Sequence, residues 1–94
     1  MTTTNNTVPG GWTPFHFDLT PEAKKVFEAT AGKLIGVKYT ALAFATQVVN
    51  GTNYSFLAKG QPVAPQAAQR VVKIHAHQPP SGDPHLDQII TVTP

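Results

Sequence analysis

The pair Asn50-Gly51, set between two long β-prone runs, constrains the fold of this 94-residue chain more than any other feature. Both central residues of a tight hairpin turn need positive φ, which Asn and Gly tolerate best. Residues 37–49 before the pair and residues 52–59 after it alternate their side chains with a period of two. We therefore predict a β-hairpin of two long antiparallel strands with Asn50-Gly51 at its tip.

A single helix is predicted before this hairpin. Thr20 can cap the first free backbone N–H groups, and Pro21 suits the first helical position. Small and apolar residues then recur at helical spacing and form one stripe along the helix. The stripe consists of Ala23, Phe27, Thr30, Ala31 and Leu34. Because Gly36 suits a left-handed helix end, we predict a helix over about residues 21–35.

Two further strands are predicted after the hairpin. Residues 60–65 contain two prolines, which lack the N–H of a central strand, so this segment is predicted to be a loop. The later strands are predicted over residues 68–77 and about residues 86–93, separated by turn formers in residues 78–84. Alternation predicts shared faces for Leu42, Phe44 and Val48 in the first strand and for Leu86, Gln88, Ile90 and Val92 in the last. The order predicts an α+β domain with one helix packed across a four-stranded antiparallel sheet.

Composition excludes several classes of function. The seven basic residues are scattered, whereas a nucleic-acid surface would gather them on one face, so no nucleic-acid partner is expected. The absence of cysteine excludes disulfides and thiol catalysis. No apolar run reaches the roughly 18–20 residues of a membrane helix, so no membrane association is expected.

The chain is long enough for one domain only. Residues 1–7, mostly Thr and Asn, are predicted to be a disordered tail, and residues 8–94 a single domain. The N-terminus lacks the basic and apolar regions of a secretory signal. We therefore expect either a cytoplasmic protein or a mature secreted form whose signal has been removed.

No residues combine into an obvious catalytic or cofactor site. The five acidic residues are dispersed and belong to no nucleophile, phosphate or dinucleotide motif, so we expect no enzyme and no cofactor. His75 and His77 share one strand face, and His85 follows after the next turn, which is one arrangement that could bind zinc. Solvent-facing histidines at polar strand positions explain the same pattern, and we adopt this interpretation, with no metal expected.

Three chain reversals combine low charge with apolar and turn residues. They are Val8-Pro9-Gly10-Gly11-Trp12, Gln47-Val48-Val49-Asn50-Gly51 and Gln78-Pro79-Pro80-Ser81-Gly82. The tips of successive hairpins can lie at one end of an antiparallel sheet, and so can the segment before the helix. These segments are therefore predicted to form a wedge that fits an apolar cleft, the alternative being that they are ordinary turns.

Two of these segments resemble motifs of the cystatin family. Residues 47–54, Gln-Val-Val-Asn-Gly-Thr-Asn-Tyr, resemble the Gln-x-Val-x-Gly signature with its Thr-Asn-Tyr continuation in stefins and plant cystatins. Residues 8–14 resemble the family's N-terminal trunk, in which two apolar residues precede Gly-Gly. The resemblance covers residues 8–93 and departs from the family at Asn50, where Ala or Ser is usual, and in the second hairpin, which lacks the Pro-Trp of plant and secreted cystatins.

The resemblance implies a cystatin-like fold, one long helix packed across a four- to five-stranded antiparallel sheet. It also implies reversible, competitive inhibition of papain-like cysteine proteases, of the papain and cathepsin type, by occlusion of the cleft. Val8 and Pro9 would enter the non-primed pockets, residues 47–51 would cover the centre, and residues 79–82 the primed side. A monomer is expected, with a domain-swapped dimer as an alternative. The alternative function is a binding protein of the same fold that inhibits no protease.

Overall fold

The computed structural model describes residues 10–64 and 66–94, where one helix packs on one antiparallel sheet. The predicted tail, residues 1–7, lies outside the described residues. The elements are helix α1 (Pro21–Thr30), a 3-10 turn (Ala31–Lys33), and strands β1 (Val37–Val49), β2 (Gly51–Pro62), β3 (Arg70–Gln78) and β4 (His85–Val92). The strands lie in the order β1-β2-β3-β4, and each neighbouring pair is antiparallel. The predicted α+β class with four antiparallel strands is confirmed.

Helix α1 begins where the sequence predicts and ends earlier. The Thr20 side-chain oxygen accepts a hydrogen bond of 3.1 Å from the Ala23 N–H, and Pro21 opens the helix. At the other end the Thr30 hydroxyl donates to the Val26 carbonyl oxygen at 2.7 Å, a bond that competes with the helical ladder. The chain then tightens into the 3-10 turn, so the α-helix ends at Thr30, five residues before the predicted end at residue 35.

The core lies between α1 and the facing side of the sheet. Its largest fully buried side chains are Phe56, Ile74 and Val72. Phe27 on the helix meets Phe56 edge to face, with ring centroids 5.1 Å apart. Leu34, predicted in the buried stripe, is exposed because the α-helix has already ended.

Tyr54 closes this core next to Phe56, and their rings stack 5.5 Å apart. Burial raises the pKa of the Tyr54 hydroxyl above its ordinary value of 10.0, and the charge of Glu22 raises it further. The Tyr54 hydroxyl therefore loses its proton at a higher pH in the folded protein than an exposed tyrosine does.

Two bulges change the predicted strand faces. In β1 the register shifts between Ala41 and Ala43, so Leu42 is the extra residue and is exposed. In β4 the register shifts opposite His75 and Ala76. This shift places Leu86 on the face of the sheet that packs on α1, and Gln88 on the opposite face, which we call the open side of the sheet. The predictions that Leu42 shares a face with Phe44, and Leu86 with Gln88, are therefore wrong, because each bulge reverses the alternation.

Strand β2 also runs further than predicted. Pro62 pairs with Val37 at the end of the strand, whereas the segment 60–65 was predicted to be a loop. Pairing of β2 with β3 ends at Gly60, so Pro62 has a strand partner on one side only. A proline is tolerated at such a position because no neighbouring strand lies on its unpaired edge to accept a hydrogen bond from a backbone N–H. No helix in the described part of the chain is long and apolar enough to cross a membrane.

Candidate functional site

The first hairpin turns tightly at Asn50 and Gly51. Val49 and Gly51 are already paired across the turn, and Gly51 has φ +96°. Asn50 does not adopt positive φ, so the predicted turn with two left-handed residues is wrong. The single left-handed position falls on Gly51, where the absence of Cβ removes the steric cost.

The tip of the first hairpin lies directly on the second hairpin. A Cβ added to Gly51 would overlap the Gln78 carbonyl oxygen and would stand 3.0 Å from Pro79 Cα and 3.1 Å from Pro80 Cδ. Position 51 therefore requires glycine for two reasons, its positive φ and this close backbone contact. The contact holds the two hairpin tips against each other.

The second hairpin is braced by its own side chains. The Gln78 Nε2 group donates hydrogen bonds to the carbonyl oxygens of Pro79 at 3.0 Å and of Gly82 at 2.9 Å. Gly82 has φ +102° and completes the turn before β4. Pro80 and Ser81 are exposed at its tip.

The segment before the helix runs antiparallel along the outer edge of β1. The Gly10 N–H donates to the Val48 carbonyl oxygen at 3.1 Å, and the Thr13 N–H donates to that of Thr46 at 2.9 Å. Isolated bridges join Trp12 to Gln47 and His16 to Phe44. The described part of the predicted trunk thus lies beside the first hairpin. Val8 and Pro9, predicted at its end, lie outside the described residues.

A row of polar side chains ties these segments together on the open side of the sheet. The Gln47 Nε2 group donates to the Gly10 carbonyl oxygen at 2.9 Å, and Asn53 Nδ2 donates to Gln47 Oε1 at 2.9 Å. His77 Nδ1 lies 2.6 Å from Asn53 Oδ1. The row crosses from the trunk through β1 and β2 to β3, following the strand register.

These contacts gather three predicted segments at one end of the molecule. We call this surface the wedge, made of residues 10–13, 47–51 and 78–82. No residue of the wedge carries a charge. The side chains of Val48 and Val49 are 43% and 41% exposed, so the central segment presents apolar surface to solvent. The wedge combines apolar side chains, glycine backbone and a few amides, a combination suited to an apolar cleft with backbone hydrogen-bonding groups.

Trp12 does not project from the wedge. Its ring lies on the open side of the sheet with its centroid 5.9 Å from that of His75. The two rings line a shallow cavity of about 220 Å³ together with Ala45, Ser55 and Lys73. Trp12, itself a residue of the wedge, is still 44% exposed, so part of its ring remains accessible from solvent.

Asn53 and His77 were missed by sequence reasoning, although they position the wedge. The predicted turn with Asn50 and Gly51 as its two central residues would place Tyr54 opposite Gln47. The observed turn pairs Val49 with Gly51 and so places Asn53 opposite Gln47, which the predicted turn does not indicate. His77 was singled out only as a surface histidine or a metal ligand. Its pairing with Asn53 depends on the register of β3, which no turn residue determines.

No group of three or more His, Cys, Asp or Glu residues suited to a metal ion occurs within residues 10–64 and 66–94. The three predicted histidines do share the open side of the sheet. His75 pairs with Gln88 across the strands, and His77 pairs with His85. The wedge itself consists of backbone groups and uncharged side chains. Comparisons of the chain with models of protein families, with curated proteins and with solved structures gave no significant match.

Proposed function

We propose that the protein has a cystatin-like fold and is a reversible, competitive inhibitor of papain-like cysteine proteases. The observation that carries this proposal is the meeting of the three wedge segments at one end of the molecule. Two of those segments are the ones that resemble the cystatin trunk and signature. Hydrogen bonds at Gly10 join the first wedge segment to the second, and the contact of Gly51 with Gln78 joins the second to the third.

The chemistry of the wedge supports insertion into a cleft. Val48 and Val49 offer apolar surface, and none of the surrounding wedge residues brings a charge that would have to be desolvated. The tight turn at Gly51 and the brace at Gln78 hold these segments in place before binding. A preorganised surface loses little conformational entropy on association, which favours affinity.

The same rigidity supports inhibition without cleavage. A protease requires an extended substrate segment across its catalytic thiol, whereas residues 49–51 are closed into a hairpin whose tip abuts Pro79 and Pro80. In the proposed complex residues 47–51 cover the centre of the cleft and residues 79–82 the primed side. Val8 and Pro9 would enter the non-primed pockets.

The proposal is tested by titrating papain and a cathepsin-type protease with the protein against a small peptide substrate. We expect inhibition that is reversed by dilution, raises KM and leaves kcat unchanged, together with protection of the catalytic thiol from a small alkylating reagent. Deletion of residues 1–11 and Gly51→Trp should each weaken inhibition. If the protein at high concentration leaves these proteases fully active and their thiols unprotected, the proposal is wrong. The alternative, a binding protein of the same fold, would then be favoured.

A further inference from the structure

Two histidines face each other on the open side of the sheet, away from the core. His77 on β3 and His85 on β4 are directly paired in the strand register. Their ring centroids lie 5.4 Å apart, with the ring planes inclined by 46°. The His85 side chain is 60% exposed, so a small ion from solvent can reach the pair.

The Nδ1 atom of each ring already has an oxygen partner. Asn53 uses its Nδ2 group to donate to Gln47, which leaves its Oδ1 as an acceptor 2.6 Å from His77 Nδ1. His77 must therefore donate through Nδ1–H. The Asp87 carboxylate lies 3.2 Å from His85 Nδ1 and favours a proton on that atom too. In the neutral rings both lone pairs then lie on Nε2.

This is the arrangement that metal-binding histidines use. Such a histidine donates its second ring N–H to a carboxylate or another oxygen, which fixes the tautomer and orients the ring. The distance between the rings is also suitable. A tetrahedral ion about 2.0–2.1 Å from each Nε2 would hold the two ring centroids roughly 5 Å apart, close to the 5.4 Å observed.

We propose that His77 and His85 bind one divalent transition-metal ion, such as Zn²⁺, through their Nε2 atoms, with water completing the coordination. Imidazole suits zinc, copper and nickel, whereas magnesium and calcium prefer oxygen. His75, considered with these two in the sequence, packs its ring against Trp12 instead. The proposed site is thus a pair of histidines. It does not depend on protease inhibition.

The test is calorimetric titration of the untagged, full-length protein with ZnCl₂, together with NMR of the imidazole nitrogens. We expect one ion per chain with a dissociation constant in the micromolar range and shifts of the Nε2 resonances of His77 and His85. His77→Gln and His85→Gln should each weaken binding at least tenfold. His16→Gln, which changes a histidine in the segment between the trunk and α1, should leave the dissociation constant within twofold.

Asp87 provides a separate check on the orientation of His85. Asp87→Asn should weaken Zn²⁺ binding several-fold and lower the fraction of His85 carrying its proton on Nδ1, which the nitrogen shifts report directly. Far-UV circular dichroism identifies any variant that has lost its fold. The proposal is overturned if wild-type protein binds Zn²⁺ only at millimolar concentration. It is also overturned if His16→Gln removes binding as fully as His85→Gln does, or if the two Nε2 resonances stay in place.

Discussion

Gln47 and Gly10 are joined by a hydrogen bond of 2.9 Å from the side-chain amide of one to the backbone carbonyl oxygen of the other. The residues are far apart in the chain, and this bond connects the trunk to the strand that leads into the first hairpin. Gln47 is itself held by Asn53, whose amide donates to Gln47 Oε1. Gln47 therefore has a structural role in the free protein, since it holds the segment before the helix beside the tip of the first hairpin.

Replacing Gln47 with Ala should loosen the trunk while leaving the core intact. One hydrogen bond contributes about 0.5–1.5 kcal/mol, so the Gly10 and Thr13 amides should exchange with solvent roughly 2- to 10-fold faster. Hydrogen exchange followed by NMR measures this. Gln61→Ala is the matched control, because Gln61 also bonds a backbone carbonyl but lies at the opposite end of β2. An equal effect of both variants would contradict a specific role for Gln47.

Gly51→Ala should destabilise the protein and separate the two hairpins. Positive φ at a residue with a Cβ costs about 1–3 kcal/mol, and the Cβ would also overlap the Gln78 carbonyl oxygen. Urea unfolding should show a loss of at least this size. Gly32→Ala is the control, because its Cβ would meet Glu28 Cβ at an ordinary 3.6 Å and needs no positive φ. Equal stability of Gly51→Ala and wild type would refute the close contact.

The predictable parts of the fold are those determined by local chemistry. Thr20-Pro21 marks the helix start, and Asn50-Gly51 marks the hairpin, because caps and turns depend on adjacent residues. The bulge at Leu42 was not predictable in this way. The position of a bulge in a strand depends on which side chains must be buried against the neighbouring strand and the helix. Those contacts involve residues far away in the chain, so local sequence does not indicate the bulge.

In the wedge, too, some features follow from adjacent residues and others from residues far apart in the chain. The three wedge segments carry turn and apolar residues that mark them individually, yet their contacts depend on register. Gly51 meets Gln78 because β2 and β3 pair so that Thr52 lies opposite Gln78. The connection between these strands, residues 63–69, has no turn signature that fixes this register. The brace between the hairpins is therefore a tertiary property.

Phe56→Ala should be among the most destabilising single changes in the chain. Phe56 on β2 is fully buried and its ring packs against Phe27 of α1, and a phenylalanine-to-alanine change in a core costs about 3–5 kcal/mol. Chemical unfolding should show this loss. Phe17→Ala is the control, since Phe17 is 74% exposed, and its removal should cost no more than about 0.5 kcal/mol. A similar loss in both variants would contradict the assignment of Phe56 to the core.

Tyr54 should make stability fall at alkaline pH. Its pKa is raised in the folded protein above 10.0, chiefly by burial. Between the unfolded and folded pKa values the folded state binds more protons, so the free energy of unfolding decreases as pH rises through this range. Urea unfolding at several pH values from about 9 to 11.5 should therefore show a steeper loss in wild type than in Tyr54→Phe. Parallel curves for the two proteins would argue against a raised pKa of Tyr54 in the folded protein.

Val49→Glu should weaken protease inhibition without unfolding the protein. Val49 is 41% exposed at the hairpin tip, so a carboxylate there is solvated in the free protein. In the proposed complex the same position enters the cleft, where an unpaired charge loses its hydration, and we expect inhibition to weaken at least about tenfold. Val63→Glu is the matched control, because Val63 is 75% exposed and lies beyond the far end of β2. Inhibition constants against papain and unfolding free energies are measured for both variants. If Val49→Glu inhibits as well as Val63→Glu, the hairpin tip does not enter the cleft.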